Sequence, residues 1–398
     1  MKKTIRDIPN WSGKRALVRE DFNVPFNPQG EITDDTRLRE ALPTLRYLSG
    51  QGARVVIMSH LGRPKGKRSA EFSMAPVAKH LQTLLPDLKV SFCDKPISDD
   101  VAAMTQTLQA GEILLLENIR FEPGEEKNDP ELCRQLAQLG DIYVNDAFGT
   151  SHRAHASTAG VAEYVKPSVA GFLMEKEIKA LSCVLSSTQP VTAIIGGSKI
   201  STKITVLENL LPKVSNLVIG GGMLFTFLKA QGLSVGNSLV EPDFIGTAAS
   251  LLAKAAETGK TIVLASDVNI ADKFDNAAQS REVPANAIPD GWMGLDIGSQ
   301  SIQDIQTVLE KSPVVLWNGP LGVFEFENFA HGTRAVAETL ADLTAKGQCQ
   351  SILGGGDTVA AIEQFKIDLA RYTHVSTGGG ASLEFLEGKV LPGIKALE

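Results

Sequence analysis

The sequence predicts an α/β protein built on parallel sheets. Short apolar runs recur along the 398 residues, and most are followed by a turn and then by a stretch of helical periodicity. The runs are continuous rather than alternating, so each strand expects cover on both faces, as in βαβ units. Composition agrees: 43% hydrophobic residues with only 6% aromatic and 36 glycines is the balance of an α/β enzyme rather than of an all-β domain.

In chain order the runs are RALVR (15–19), ARVVIMS (53–59), EILLLEN (112–118), DIYVND (141–146), VTAIIGG (191–197), NLVIGGG (216–222), TIVLAS (261–266), VVLWNGP (314–320), QSILGGG (350–356) and THVSTGGG (373–380). SAEFSMAPVAKHLQTLL (69–85) and DTVAAIEQF (357–365) are the clearest helices among them. Ten strands satisfy either one large sheet or two smaller ones. A boundary candidate lies at 160–190, where KPSVAGFLMEKEIKALSCVLSSTQP reads as a loop and one amphipathic helix over about 172–185. A single helix between two sheet-forming regions suits a domain connector.

Charge divides the chain. Residues 1–170 hold 22 Lys/Arg and 22 Asp/Glu, while 171–398 hold 17 and 24, which accounts for the net charge of −7. Neither part has the basic excess of a nucleic-acid binder. The four cysteines, Cys93, Cys133, Cys183 and Cys349, form no C-x-x-C pair, which points away from a disulfide framework or a zinc site and toward a reducing compartment. MKKTIRDIPNWSGKR lacks a signal-peptide core, and no apolar run approaches the roughly 18 residues of a membrane span. The expectation is a cytoplasmic protein without membrane partners.

Ligands of open parallel sheets bind beyond the carboxyl ends of the strands, so the residues just after each run carry the functional reading. In the first half they are cationic or polar: Arg19, Asp21 and Asn23 in VREDFNVP, His60 and Arg63 in SHLGRPKG, Arg120 in LENIRF, and His152, Arg153 and His155 in NDAFGTSHRAHAST. Arg37, in TDDTRLREAL, sits on or at the entry of a helix. One such arginine is ordinarily a surface ion pair. Several at matching strand ends describe a pocket for a phosphate or carboxylate, which guanidinium grips in a bidentate way.

In the second half the same positions hold glycine: IIGGSKISTK, VIGGGMLF, WNGPLGVFE, LGGGDTVAAI and VSTGGGASLEF. Glycine lets backbone approach a ligand, and the following helix offers free N–H groups and the positive end of its dipole. Five such turns in one region point to a nucleotide or polyphosphate. No G-x-x-x-x-G-K-[ST] and no G-x-G-x-x-G is present, which argues against a phosphate-loop NTPase and a dinucleotide dehydrogenase. Asp357, at the mouth of GGGDTV, has two open readings: a carboxylate linked to phosphates through Mg²⁺, or a helix N-cap.

These motifs resemble the phosphoglycerate kinase family from end to end. VREDFNVP, SHLGRPKG, LLENIRF, VNDAFGTSHRAHAST, GGSKISTKI, IPDGWMGLDIG, WNGPLGVFEFENFAHGT, GGGDTVAAI and STGGGASLEFLEGKVLPGI carry the resemblance, in family order. It implies two Rossmann-like three-layer domains with parallel sheets, joined by a helix across a deep cleft. Residues 1–171 would bind 3-phosphoglycerate or 1,3-bisphosphoglycerate, 172–185 would be the interdomain helix, 186–384 would bind ATP or ADP with Mg²⁺, and the tail 385–398 would fold back onto the first domain. Members are usually monomers, and the reaction is reversible phosphoryl transfer between acyl phosphate and ADP. With the ligands on different domains, closure about the helix is expected.

Residue by residue, the family pattern places Asp21, Phe22, Asn23, Arg37, His60, Leu61, Gly62, Arg63, Arg120 and Arg153 around the phosphoglycerate, with Arg37 facing the transferring group. On the nucleotide side it places Lys199, Lys203, Gly220, Gly221, Gly222, Asn318, Glu325, Gly354, Gly355, Gly356, Asp357 and Thr358. Lys203 and Lys199 join Arg37 as catalytic candidates, Glu325 matches the acid that bonds the ribose, and Asp357 matches the metal-linked aspartate. The i, i+4 spacing of Lys199 and Lys203 would put both on one face if that segment opens a helix, and Gly220–Gly222 are expected to be bare because a side chain would meet the base. Ser198 and Thr202 stand where Ala and often Asp are usual, and Ser266 and Ser299 where proline is. The reading to set against a kinase is a catalytically inactive nucleotide- and anion-binding scaffold on the same fold.

Overall fold

The continuous apolar runs fold as strands buried on both faces, and they form two six-stranded parallel sheets rather than one large one. The computed structural model describes residues 2–398. It divides into two compact units, Met1–Lys179 with Val390–Glu398, and Ala180–Lys389.

In the first unit, β1 (Arg15–Arg19), β2 (Arg54–Met58), β3 (Val90–Cys93), β4 (Ile113–Leu116), β5 (Ile142–Asn145) and β6 (Ser168–Ala170) lie in the order β3-β4-β2-β1-β5-β6. β1 pairs in parallel with β2 on one side and β5 on the other. The chain winds outward from β1 through β2, then returns to the other side at β5, so the order reverses between β1 and β5. That reversal is the switch point at which open α/β sheets hold ligands. Leu17, Val56, Leu115 and Val144 are fully buried along these strands. The helix Thr36–Gly50 turns Leu38, Ala41, Leu45 and Leu48 to the core, a one-face helical spacing that keeps Arg37, at its first turn, off the core face.

The second unit holds β7 (Val191–Ile195), β8 (Asn216–Ile219), β9 (Thr261–Val263), β10 (Asp267–Ala271), β11 (Ser280–Pro284), β12 (Met293–Ile297), β13 (Val314–Asn318), β14 (Gln350–Gly354) and β15 (His374–Val375). The parallel sheet runs β15-β14-β13-β7-β8-β9, with its switch point between β7 and β13. All six of its strands coincide with apolar runs of the sequence. β3 and β6 do not, because they are the short edges of the first sheet, and β3 is only half-buried. The antiparallel sheet β11-β10-β12 was also unanticipated: β11 is SREVP and almost wholly exposed, so it shows no apolar run.

The connector helix forms over Phe172–Ser186, and the division between the units falls within it. Its first turn is held by side chains of the first unit: Thr44 Oγ1 accepts from Phe172 N at 2.9 Å, and Asp146 Oδ1 accepts from Met174 N at 2.9 Å. Helix Gly380–Leu386 remains in the second unit, and the chain rejoins the first at Val390. There Asn145 Nδ2 donates to Gly393 O at 3.2 Å, Glu398 N to Ser168 O at 3.0 Å and Lys3 N to Glu398 O at 2.7 Å. Leu391 and Leu397 are buried. Each such leucine contributes about 1.5–3 kcal/mol. Truncation after Lys389 is therefore expected to destabilise the first unit by about 3 kcal/mol or more, seen by calorimetry as an earlier transition; an unchanged thermogram would contradict the packing described.

Candidate active site

In the first unit, the loops leaving β1, β2, β4 and β5 bring the cationic candidates together. Arg37 pairs with Asp21 at 2.6 Å, and His60 Nδ1 lies 3.7 Å from the same carboxylate. Burial opposes ionisation of Asp21, but the permanent cations Arg37 and Arg19 beside it hold the carboxyl below its usual range. Asn23 Oδ1 accepts from Gly62 N at 2.8 Å, and Arg120 donates to Gly62 O at 2.7 Å, so one glycine ties three of these loops. Gly62 has φ +59°, and a Cβ there would strike the Phe72 ring. Arg153 donates to His152 Nε2 at 3.2 Å. Arg63 is exposed, with no side-chain hydrogen bond or ion pair among the described residues.

One expectation, on Phe22 and Leu61, is narrowed here. The side chains of Phe22 and Leu61 lie in the core, at 0% and 4% exposure, and the backbone groups of both have partners within the protein. Burial, against the pull of Asp21, drives the His60 pKa well below the ordinary histidine value. Sequence reasoning also missed Asn118, whose buried carboxamide accepts from Leu61 N at 3.3 Å and donates to Leu61 O at 2.7 Å. The asparagine in LENIRF was its only signal.

In the second unit, the glycine turns meet at the switch point between β7 and β13. A Cβ on Gly196 would strike the carbonyls of Gly319 and Pro320, and one on Gly319 would strike Gly196 O. Gly221, at φ +68°, stands so close to Gly197 that a Cβ would lie 2.5 Å from its carbonyl oxygen, and Gly220 abuts Leu321. These glycines are therefore demanded by the protein's own backbone packing, whatever the ligand. Gly356 differs, since a Cβ there meets nothing within 4 Å. It opens the helix Gly356–Gln364, preceded by Gly355 at φ +91°. Bare N–H groups at such a helix start suit an anion.

Asp357 occupies the first turn of that helix rather than the cap, and makes no capping hydrogen bond, so the N-cap reading falls. Its carboxylate is exposed. Thr358, by contrast, is fully buried: its hydroxyl donates to Gly354 O at 2.9 Å and accepts from Gly319 N at 2.7 Å, fastening the β13 and β14 turns. Lys203 Nζ donates to the buried Asn318 Oδ1 at 2.7 Å. Burial holds this ammonium below the usual lysine range, while Asp357 and Glu387 pull it back up. Lys199 and Lys203 do not share a face of an α-helix as their spacing allowed. Lys199 is extended, a 3₁₀ turn covers Ile200–Thr202, and the α-helix begins only at Ile204.

Beside these turns lies a cavity of about 710 Å³. Gly221 and Gly222 line one side, with Leu239, Phe274 and Phe326 contributing apolar surface, and Glu325 and Asp357 at its polar margin. Gly220 is not part of the wall. Leu239 and Phe274 are 46% and 63% exposed, an apolar edge of the kind that marks a ligand groove. The rings of Phe274 and Phe326 sit 5.0 Å apart. None of these three was singled out from sequence; a phenylalanine in the polar stretch DKFDNAAQ was the one hint. Asp296, also in the wall, is buried and accepts from Gly332 N at 2.9 Å and Ile297 N at 2.9 Å. Burial pushes its carboxyl up to about 7 against the pull of those amides.

Among the described residues no group of three or more His, Cys, Asp or Glu side chains could enclose a metal. A lone, exposed, unpaired carboxylate beside an anion-binding turn nonetheless fits Mg²⁺, which typically takes one or two carboxylates and completes its shell with phosphates and water.

A family model described as phosphoglycerate kinase matches residues 5–389. The phosphoglycerate kinase of Acaryochloris marina is 56% identical over 401 residues, covering 100% of this chain and 99% of the relative. That of Chloroflexus aggregans is 55% identical over 399 residues with the same coverage. Among solved structures, phosphoglycerate kinase from Coxiella burnetii superposes with TM-score 0.91 at 43% identity, covering 100% of this chain and 98% of that one. The enzyme from Pyrococcus horikoshii gives 0.80 at 32% identity, covering 99% and 98%.

The two kinds of glycine separate experimentally. Gly221→Ala is expected to cost about 2–4 kcal/mol through a disfavoured φ and a backbone clash, lowering the thermal midpoint of the second unit. Gly356→Ala, with open space for its Cβ, should leave the midpoint unchanged. Equal destabilisation by both would contradict this division.

Proposed function

Because the chain belongs to the phosphoglycerate kinase family and is a kinase, we propose that it moves a phosphoryl group reversibly between 1,3-bisphosphoglycerate and ADP, giving 3-phosphoglycerate and ATP, with Mg²⁺. The observation that carries this reading is the division of chemistry between the units. Cationic loops crown one parallel sheet, while glycine turns and an apolar cavity of about 710 Å³ crown the other. A phosphoglycerate offers a phosphate and a carboxyl group, which arginines grip. A nucleotide offers a flat base for an apolar slot and phosphates for bare backbone N–H groups.

Phosphoryl transfer asks the protein mainly to align donor and acceptor and to neutralise the equatorial oxygens. The acceptor is already an anion, so no side chain need remove a proton, and a His60 kept neutral by burial suits a hydrogen-bonding role. Arg37, partly exposed and paired with Asp21, is the cation available to the migrating group from the first unit. Lys203, oriented by Asn318, is its counterpart from the second. Arg63, Arg120 and Arg153 would hold the remote phosphate and the carboxylate, Lys199 the nucleotide phosphates, and Glu325 the ribose. Asp357 would hold Mg²⁺, which supplies positive charge to the phosphates when bound.

The test is ADP release from ATP with and without 3-phosphoglycerate and Mg²⁺. Turnover should require all three. Lys203→Ala should lower kcat more than about tenfold, on the order of 1.4 kcal/mol of transition-state stabilisation, and Arg153→Ala should raise KM for 3-phosphoglycerate alone. ATP binding without turnover would replace this reading by the inactive scaffold.

A further inference from the structure

A line of buried polar groups runs beneath the cationic loops of the first unit. Glu125, in the loop after Arg120, is fully buried, and its carboxylate accepts from Ser157 N at 2.9 Å and from Ser157 Oγ at 2.6 Å. Having given its one proton to Glu125, the Ser157 hydroxyl accepts from Arg19 Nε at 2.8 Å. Arg19, also fully buried, donates one terminal nitrogen to Glu20 O and brings the other to His60 Nδ1 at 3.3 Å. A guanidinium has only donors, so Nδ1 is the acceptor and the His60 proton sits on Nε2. Tyr143 Oη donates to Ser157 O at 2.8 Å, and Thr158 Oγ1 donates to Arg153 O at 2.9 Å.

The line thus passes, in order, through the loops that follow β4 and β5, the last residue of β1 and the loop that follows β2. Those loops carry the phosphoglycerate candidates Arg120, Arg153, Asp21, Asn23, His60 and Arg63; Arg37 reaches them from its helix through Asp21. Arg19 is a buried cation and needs a partner. Its charge faces the carboxylates of Glu20 and Asp21, and its hydrogen bonds lead through Ser157 to Glu125.

We propose that Glu125 and Ser157 are positioning residues for phosphoglycerate binding: they fix Arg19, and through it the His60 tautomer and the relative placement of the four loops. This rests on the reading of the first unit as the phosphoglycerate-binding unit. Neither residue touches the ligand. Their loss frees the Ser157 proton to turn toward Arg19, removes the acceptor of Arg19 Nε, and lets the loops of His60 and Arg153 relax apart. Affinity for a ligand gripped by several loops then falls, while the nucleotide site in the other unit is untouched.

Steady-state kinetics of the full-length Glu125→Gln and Ser157→Ala enzymes, with each substrate varied, tests this alongside their thermal midpoints. The expected result is a rise of about tenfold in KM for 3-phosphoglycerate, the size of one lost charge-assisted hydrogen bond, with KM for ATP unchanged. A lower midpoint with both KM values unchanged would reduce the network to fold support and overturn the proposal. Ser157→Ala removes a single hydroxyl, so a wild-type KM in that enzyme overturns it even if Glu125→Gln does not fold. Arg153→Ala in parallel tells two failures apart. If it raises KM for 3-phosphoglycerate and the network variants do not, the positioning claim alone fails; if it and they raise only KM for ATP, the assignment of the first unit fails with it.

Discussion

A parallel strand covered on both faces can bind nothing along its length. Its side chains are spent on the core, and its backbone groups are spent on its neighbours. In both units this confines polar chemistry to the carboxyl ends of the strands and to the loops beyond them. The six-stranded sheets place those ends side by side, with β1 and β5 flanking one switch point and β7 and β13 the other. Most candidate residues gather because of that confinement, since loops separated by tens of residues in sequence leave adjacent strands; Arg37 joins them from its helix through Asp21.

The units meet the constraint differently. The first gathers like charges, which repel and resist burial, and holds them with internal partners: Asp21 for Arg37, the Gly62 carbonyl for Arg120, and the Ser157–Glu125 pair for Arg19. The second removes side chains. Gly196 and Gly319 let two turns touch backbone to backbone, and Thr358 pins them through a buried hydroxyl. What remains at that end is exposed N–H groups at Gly355 and Gly356, one carboxylate and one half-buried lysine. A set of cations selects an anion of compact shape; a bare turn beside an apolar cavity selects a molecule with phosphates at one end and a flat ring at the other.

Much of this was legible in the sequence because the central strands are continuous apolar runs, and because arginine and glycine at strand ends are chemically unambiguous. The edge strand β3 and the charged strand β11 were not legible, since half-buried or exposed strands carry no apolar run, and β6, though buried, is only the three residues Ser168–Ala170. Within the sites, residue type was readable but commitment was not. Phe22 follows an arginine and precedes an asparagine of the site, yet its ring turns to the core. Thr358 sits in a phosphate-like turn, yet both functions of its hydroxyl are internal. Gly221 looks like ligand clearance and is backbone clearance. Leu239, Phe274 and Phe326 come from segments remote in sequence and converge only in the fold.

The central claim is that the two switch points hold two different ligands. Amide hydrogen exchange measured with 3-phosphoglycerate alone and with Mg²⁺–ADP alone tests it most directly, because bound ligand slows local opening of the loops it contacts. The account predicts slowed exchange around Ser59–Gly62 and Asn118–Arg120 with the first ligand, and around Gly196–Lys199, Gly220–Met223 and Gly354–Thr358 with the second. Protection of the same unit by both ligands would contradict it.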